Sequence, residues 1–423
     1  MLRRQSMGTM TPHDTQSGAI YPPAGADWIQ GRRQASHPQP RQRPAHLPEA
    51  WVLGDLDLVR PLHLAGIPCA VLSPPGNPSR YTRHARSVGW ADPWNAEETL
   101  LDLLRTSADS VQERPVLFYQ LDAYTSFIAR NRDELARSFD FVLPDRELLE
   151  DCLDKARFLA LAERLGLPVP ATRVLTPAGA PPKDIGLAYP IVLKPPIHGN
   201  RGWSIVEPKR KAVYVDSPGR LAELWPRLVA RRGDLLAQQL VPGPETRIES
   251  YHAYRREDGR IDGEFTGRKI RTHPIQHGHT TALTVTEIPD VREMGRDIIT
   301  RLRLTGVVKL DLKRAPDGRL WLLEANPRFN LWHHAAAHTG VNLPARVWSD
   351  LTGLPAPRTM RPREQAFWMS PRDIQAAHEW AVPFREWLVW AQRCEAKSVG
   401  TWDDPMPLIR LGLNRARRVL LRH

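Results

Sequence analysis

The chain has 423 residues, and at about 150 residues per domain that length suggests two or three domains. Hydrophobic residues at 41% and charged residues at 25% allow a sizeable core and exclude wholesale disorder. Lys and Arg number 59 against 47 Asp and Glu, and the resulting charge of +12 favours anionic partners: phosphates, carboxylates, nucleic acid or an anionic membrane face.

Residues 1–48 are rich in Pro, Gln, Ser, Gly and Arg and lack sustained periodicity, so they read as a disordered basic arm. The opening Met-Leu-Arg-Arg-Gln has no apolar stretch behind it, which argues against a secretory signal and makes a reducing cytoplasm the default expectation. Residues 49–144 alternate short apolar strands with helical stretches. The strands are expected at 50–53, 68–72, 115–119 and 139–143, the helices at 55–65, 96–106 and 122–137. Such alternation predicts a Rossmann-like parallel sheet with crossover helices. Its first turn, Gly54-Asp55-Leu56-Asp57, is not GxGxxG, so a dinucleotide such as NAD or FAD is a poor fit.

A strongly periodic helix pair is expected from Asp145 to Leu165, stopped by Gly166, Pro168 and Pro170. Residues 190–194 read as a buried strand ending in Lys194, followed by the loop His198-Gly199-Asn200-Arg201-Gly202. Further strands are expected at 234–240, 246–254 and 261–269, then as a hairpin of 306–313 with 319–325 across Ala315-Pro316-Asp317-Gly318. Beyond residue 358 the chain is Pro- and Trp-rich and closes on a basic apolar stretch, Leu408 to His423. The cysteines Cys69, Cys152 and Cys394 form no CxxC, which excludes a thiolate zinc site and a disulfide framework. No apolar run approaches the roughly 18 residues that span a bilayer.

The hairpin carries the clearest chemistry. Pairing across its turn brings Asp311 near Glu324, and Glu324 and Asn326, two apart, share a strand face. Three converging oxygen donors suit Mg²⁺, and two carboxylates so close would repel without a cation. Alone, the pattern fits an ordinary polar surface hairpin equally well. Lys194 leaves a buried strand beside a loop whose Gly199 and Gly202 permit close backbone approach, an arrangement that can meet phosphates although no Walker A motif is present. Gln238-Gln239-Leu240-Val241-Pro242-Gly243-Pro244-Glu245 reads as a strand entering a glycine turn. It can offer backbone groups to adenine and Glu245 to a ribose, or simply be a loop. Arg268, Lys269, Arg271 and Arg328 can clamp carboxylates or phosphates, or form a solvated basic face. The histidines at 273, 277 and 279 and at 333, 334 and 338 do not form HExxH, so zinc is not expected.

The order of these pieces resembles the ATP-grasp superfamily of carboxylate–amine ligases, most closely its D-aspartate ligase-like branch, over about residues 50–355. The resemblance runs through Asp154-Lys155, Leu165 to Pro170, Val192-Leu193-Lys194-Pro195, Gln238 to Glu245, Gly267 to Arg271, Asp311, and Glu324-Ala325-Asn326-Pro327-Arg328. It implies α/β architecture, with α+β in the ATP-grasp part. A Rossmann-like domain (49–144) would precede an ATP-grasp domain (145–357, subdomains about 145–236 and 237–357), with a C-terminal helical extension at 358–423.

By the same resemblance, Lys155 and Lys194 would hold ATP phosphates under the loop bearing Gly199 and Gly202. Gln238, Gln239, Leu240, Val241 and Glu245 would hold the nucleoside, and Asp311, Glu324 and Asn326 two Mg²⁺ ions, or Mn²⁺ in their place. Arg328 with Arg268, Lys269 or Arg271 would steady the transferred phosphoryl group or the substrate carboxylate. The implied activity makes an acyl phosphate and joins it to an amine, the partners being small carboxylates and amines of amino-acid or peptide kind, D-aspartate among them. Asp311 stands where glutamate is usual, Gln239 where a carboxylate is common, and His198, Arg201 and Trp203 crowd the phosphate loop. A lapsed enzyme binding nucleic acid or an anionic membrane is the alternative reading, the latter through the C-terminal basic stretch, peripheral to the inner face of the membrane.

Overall fold

The computed structural model describes residues 46–196, 203–207, 212–276, 278–359 and 361–420, with backbone only at 415 and 417–420. Gly199, Gly202, His198, Arg201 and nearly all of the N-terminal arm lie outside the described residues. Residues Arg43–His423 pack as one unit.

The first sheet is parallel, as its apolar runs predict. Strands β1 (Ala50–Leu53), β2 (Cys69–Leu72), β3 (Arg86–Gly89) and β4 (Val116–Tyr119) run in the order β3-β2-β1-β4. Every residue of β1, β2 and β4 is buried, which explains why they read as continuous apolar runs. The edge strand β3, Arg-Ser-Val-Gly, carries no such signal. Of the strand expected at 139–143, only Asp140 forms a bridge, to Val116.

The second sheet is antiparallel, with β5 (Thr172–Leu175), β6 (Ile191–Lys194), β7 (Val213–Val215) and β8 (Leu235–Gln239) in the order β5-β8-β6-β7. Helix Pro218–Arg231 covers it. Ser217 caps that helix by accepting from the Arg220 amide, and proline holds its first position, a standard helix start. Ile191, Leu193, Val215, Leu224, Trp225 and Leu228 form a separate core here.

The third sheet has seven strands: β9 (Ile248–Arg255), β10 (Ile261–His273), β11 (His279–Val285), β12 (Gly306–Arg314), β13 (Leu320–Asn326), β14 (Ala366–Met369) and β15 (Ala396–Lys397). Their order is β13-β12-β9-β10-β11-β14-β15. The segment beyond 358 is thus more than a helical extension, because β14 pairs with β11 and β15 with β14. The β12–β13 hairpin forms about the expected turn, with Gly318 at φ +88, a left-handed conformation that glycine adopts without a Cβ penalty. Val308, Leu310 and Leu312 on one face of β12 join a core with Leu322, Ile298 and Phe158. That alternation turns Lys309, Asp311 and Lys313 the other way.

The C-terminal helix Met406–Leu420 lies on the turn Pro78–Tyr81, with the Arg410 guanidinium 4.9 Å from the Tyr81 ring centre and Asn414 Nδ2 donating to Gly76 O at 3.0 Å. Met406, Ile409 and Leu413 are exposed, and Trp402 nearby is 100% exposed. Among the described residues no helix is long and apolar enough to cross a membrane.

Candidate functional site

A cleft of about 1170 Å³ is lined by all three sheets. The first sheet contributes Asp55, Gln120 and Asp122, which follow its strand ends, the position where open α/β sheets place ligands. The second contributes Lys194, Gln238 and Gln239, and the third the outward face of β12 and β13.

Lys194 is fixed from its own sheet. Its Nζ donates to Gln238 Oε1 at 2.9 Å, and Gln238 Nε2 donates to Thr172 Oγ1 at 2.9 Å. Burial, and then the positive Lys155, push its pKa down to about 8, with Glu324 opposing. Lys155 reaches the same place from the first residue of helix Lys155–Arg164, whose cap Asp154 accepts from the amides of Ala156 and Arg157. The Lys155 ammonium nitrogen is buried and meets no hydrogen-bond acceptor among the described residues. Burial lowers its pKa, opposed by Glu324, Asp122 and Asp154. A buried cation without an acceptor is costly, so this pair of lysines fits an anionic ligand such as a polyphosphate.

At the hinge after β8, Gln239 N donates to Ala171 O at 2.8 Å and Leu240 N to Pro190 O at 3.1 Å. The Leu240 amide is therefore committed to the protein, and only its carbonyl is left for the adenine role expected of it. Val241 and Glu245 line the cleft, Glu245 from the start of a short 3₁₀ turn. Glu245 faces Lys313, whose pKa is lowered by burial, with Glu245 opposing and Lys269 reinforcing the shift.

Asp311 and Glu324 stand opposite each other in register. Asn326 Nδ2 donates to Glu324 Oε1 at 3.0 Å. Asp311 is buried, with Oδ1 accepting from Ser250 Oγ at 2.6 Å and Oδ2 from Lys309 Nζ at 2.5 Å. The cation expected beside the two carboxylates is supplied on Asp311 by the Lys309 ammonium. The carboxylate of Glu324 and the amide oxygen of Asn326 are hard donors that fit Mg²⁺. Among the described residues no group of three His, Cys, Asp or Glu is arranged to hold a metal.

Arg328 is held at the cleft by an ion pair with Asp122 and by donation to Gln120 O at 3.3 Å, while its Nη2 lies 3.5 Å from Asn326 Oδ1. Lys269 lines the cleft, and Arg268 is exposed. Arg271 does not reach the cleft, contrary to expectation. It is buried, paired in bidentate fashion with Asp373 (2.6 and 3.0 Å), and its guanidinium lies 4.1 Å from the Trp390 ring centre. The reading by residue type missed Lys309 and Lys313, although the period-two alternation around Asp311 marks both. It also missed Asp55 and Asp122, whose only signal is their place just after strands. Burial and then Asp57 push the Asp55 pKa up to about 7.

The sequence matches no protein-family model and no curated protein. Solved structures do resemble the chain. An ADP complex of N5-carboxyaminoimidazole ribonucleotide synthetase aligns with TM-score 0.55 and 18% identity over 76% of this chain and 81% of its own. An L-amino acid ligase from Bacillus licheniformis aligns with TM-score 0.55 and 15% identity over 76% and 79%. An ATP-analogue complex of biotin carboxylase from Campylobacter jejuni gives 0.57 and 14% over 76% and 75%. The fold is an ATP-grasp fold.

Proposed function

We propose that this protein is an ATP- and Mg²⁺-dependent ligase that activates a carboxylate and joins it to an amine. The observation that carries this reading is the buried, acceptor-free Lys155 ammonium beside Lys194, facing the oxygen donors Glu324 and Asn326. In the reaction, a carboxylate oxygen attacks the γ-phosphorus and the bond to the bridging oxygen breaks, releasing ADP. The amine nitrogen then attacks the acyl carbon, inorganic phosphate leaves, and the nitrogen loses a proton. Phosphoryl transfer depends chiefly on positioning and charge neutralisation, which a lysine-rich cleft supplies without a covalent nucleophile.

Lys155 and Lys194 would hold the phosphates, the Gln238–Val241 hinge and Glu245 the nucleoside, and Glu324 with Asn326 the metal. Lys269 and Arg328 would meet the substrate carboxylate or the moving phosphoryl group. The substrates fit small amino-acid or peptide-like molecules, D-aspartate being one donor to try. An ADP-release screen over amino acids and small carboxylates, with mass spectrometry of products, tests the reading. ADP release that requires both a carboxylate and an amine supports it, and no release with any pair overturns it. Glu324→Gln should cut that release roughly 100-fold or more, since loss of a metal ligand removes several kcal/mol of transition-state stabilisation.

Contact with an anionic membrane surface belongs to the same proposal. Trp402, Met406, Leu408, Ile409 and Leu413 are exposed in a segment that also carries Arg410, Arg415, Arg417, Arg418 and Arg422. Flotation with phosphatidylserine vesicles but not phosphatidylcholine vesicles supports that contact. Equal absence from both discards it.

A further inference from the structure

Among the described residues one arginine lines the cleft, Arg328, and each nitrogen of its guanidinium already faces an acceptor. Nε is ion-paired with the Asp122 carboxylate, Nη1 donates to Gln120 O at 3.3 Å, and Nη2 lies 3.5 Å from Asn326 Oδ1. The Nε–Nη2 edge therefore faces Asp122 and Asn326. Both of these line a recess of about 20 Å³ together with Lys155, Lys194 and Glu324. That volume holds about one water, so a larger group enters only where a side chain gives way.

A carboxylate that grips a guanidinium in bidentate fashion uses two adjacent N–H groups. On the edge turned to the recess these are Nε and Nη2, and Asp122 holds Nε. The incoming carboxylate must displace that of Asp122. The Arg328 and Asp122 side chains are only 18% and 27% exposed, and a sheltered charge deprived of its partner is strongly unfavourable. Lys155 is another cation that feels the charge of Asp122, and under the ligase reading the phosphates occupy it. A plain carboxylate thus exchanges one ion pair for another and strands Asp122. An α-amino acid does not. Its carboxylate takes Arg328, and the ammonium on the neighbouring carbon takes Asp122, so one ion pair becomes two.

We propose that Asp122 is the receptor for the ammonium group of an α-amino acid acyl donor, and that by competing for Arg328 it selects such zwitterions over carboxylates that lack an amino group. The inference rests on the ligase reading and narrows its carboxylate substrate. The carboxylate held by Arg328 lies beside the recess of Lys155, Lys194 and Glu324, where that reading puts the phosphates, so this amino acid is the one phosphorylated. Asp122 also keeps its nitrogen protonated, which leaves the amine of the second substrate as the nucleophile.

Calorimetry on the full chain saturated with AMP-PNP and Mg²⁺ tests this with probes that differ in the amino group. The pairs are D- or L-alanine against propionate, D- or L-aspartate against succinate, and D- or L-phenylalanine against 3-phenylpropionate. At least one amino acid should bind the wild type roughly tenfold or more tightly than its deaminated partner. Asp122→Asn should weaken that amino acid and tighten the partner, bringing the two within about threefold. Asp122→Ser, a second variant without the charge, should do the same. Equal weakening of both probes in the variants would mean that Asp122 only orients Arg328, and would overturn the inference. So would a preference that survives in both variants, or a wild type that prefers no amino acid or binds none of the probes. ADP release in the two-substrate screen would still uphold the ligase reading after any of those failures, whereas no binding of AMP-PNP would remove both.

Discussion

Lys194 is the residue through which pH should act on this cleft. An ordinary lysine titrates near 10.4, whereas burial and Lys155 bring Lys194 to about 8. In the ligand-free protein the ammonium is therefore charged at pH 7 and is lost as pH rises through 8. Affinity for AMP-PNP should fall roughly tenfold between pH 7 and pH 9.5, read by titration calorimetry. Lys194→Arg should flatten most of that fall, since a guanidinium stays charged throughout. Folding stability should respond in the opposite sense. Between about 8 and 10.4 the unfolded chain holds a proton that the folded chain has released, so the contribution of this group to stability rises with pH. Affinity and stability moving together across that window would contradict the assignment of the shift to Lys194.

At the scale of elements, the fate of Arg271 shows how a strand can mislead. Regular alternation would put Lys269 and Arg271 on one face of β10. The register against β11 shifts between them, with Lys269 opposite Leu283 and Arg271 opposite Ala282. Ile270 is the extra residue of a bulge, which turns Arg271 away from the cleft and onto Asp373. Arg271→Met should therefore cost about 3–5 kcal/mol of stability by leaving Asp373 charged and buried. ADP release per folded molecule should stay near the wild-type rate, and a large loss there with unchanged melting would refute the structural role. The β12–β13 hairpin was legible because alternation and an Ala-Pro-Asp-Gly turn agree, and β1, β2 and β4 of the first sheet because they are apolar runs buried throughout. A bulge has no such signature, since it is defined only by the register between two paired strands. Strands β14 and β15 escaped for a related reason: four and two residues long, they are defined by pairing with β11 and with each other. Lys309 escaped differently. Its alternation with Asp311 was visible, but the ion pair depends on side-chain reach within a buried cleft.

Across the whole molecule, the site draws on sheets with separate cores, and that has a measurable consequence. The second sheet packs around its own cluster centred on Trp225 and Leu228, while β12 and β13 belong to the cluster with Phe158 and Ile298. A sheet with its own small core can open without the rest of the protein unfolding. A nucleotide held by Lys194 and the Gln238–Val241 hinge on one side, and by Glu324 and Asn326 on the other, would bind only when both sheets are formed. Its binding free energy then opposes local opening of either sheet, by about 2.7 kcal/mol at a ligand concentration of 100 times Kd. Saturation with AMP-PNP and Mg²⁺ should thus slow amide hydrogen exchange in β6 and β8 by up to about 100-fold, alongside slower exchange in β12 and β13. Peptides covering Ile191–Lys194 and Leu235–Gln239 report on this directly. Slowing confined to β12 and β13 would mean that the phosphates do not reach Lys194, and the nucleotide would have to lie along the third sheet alone.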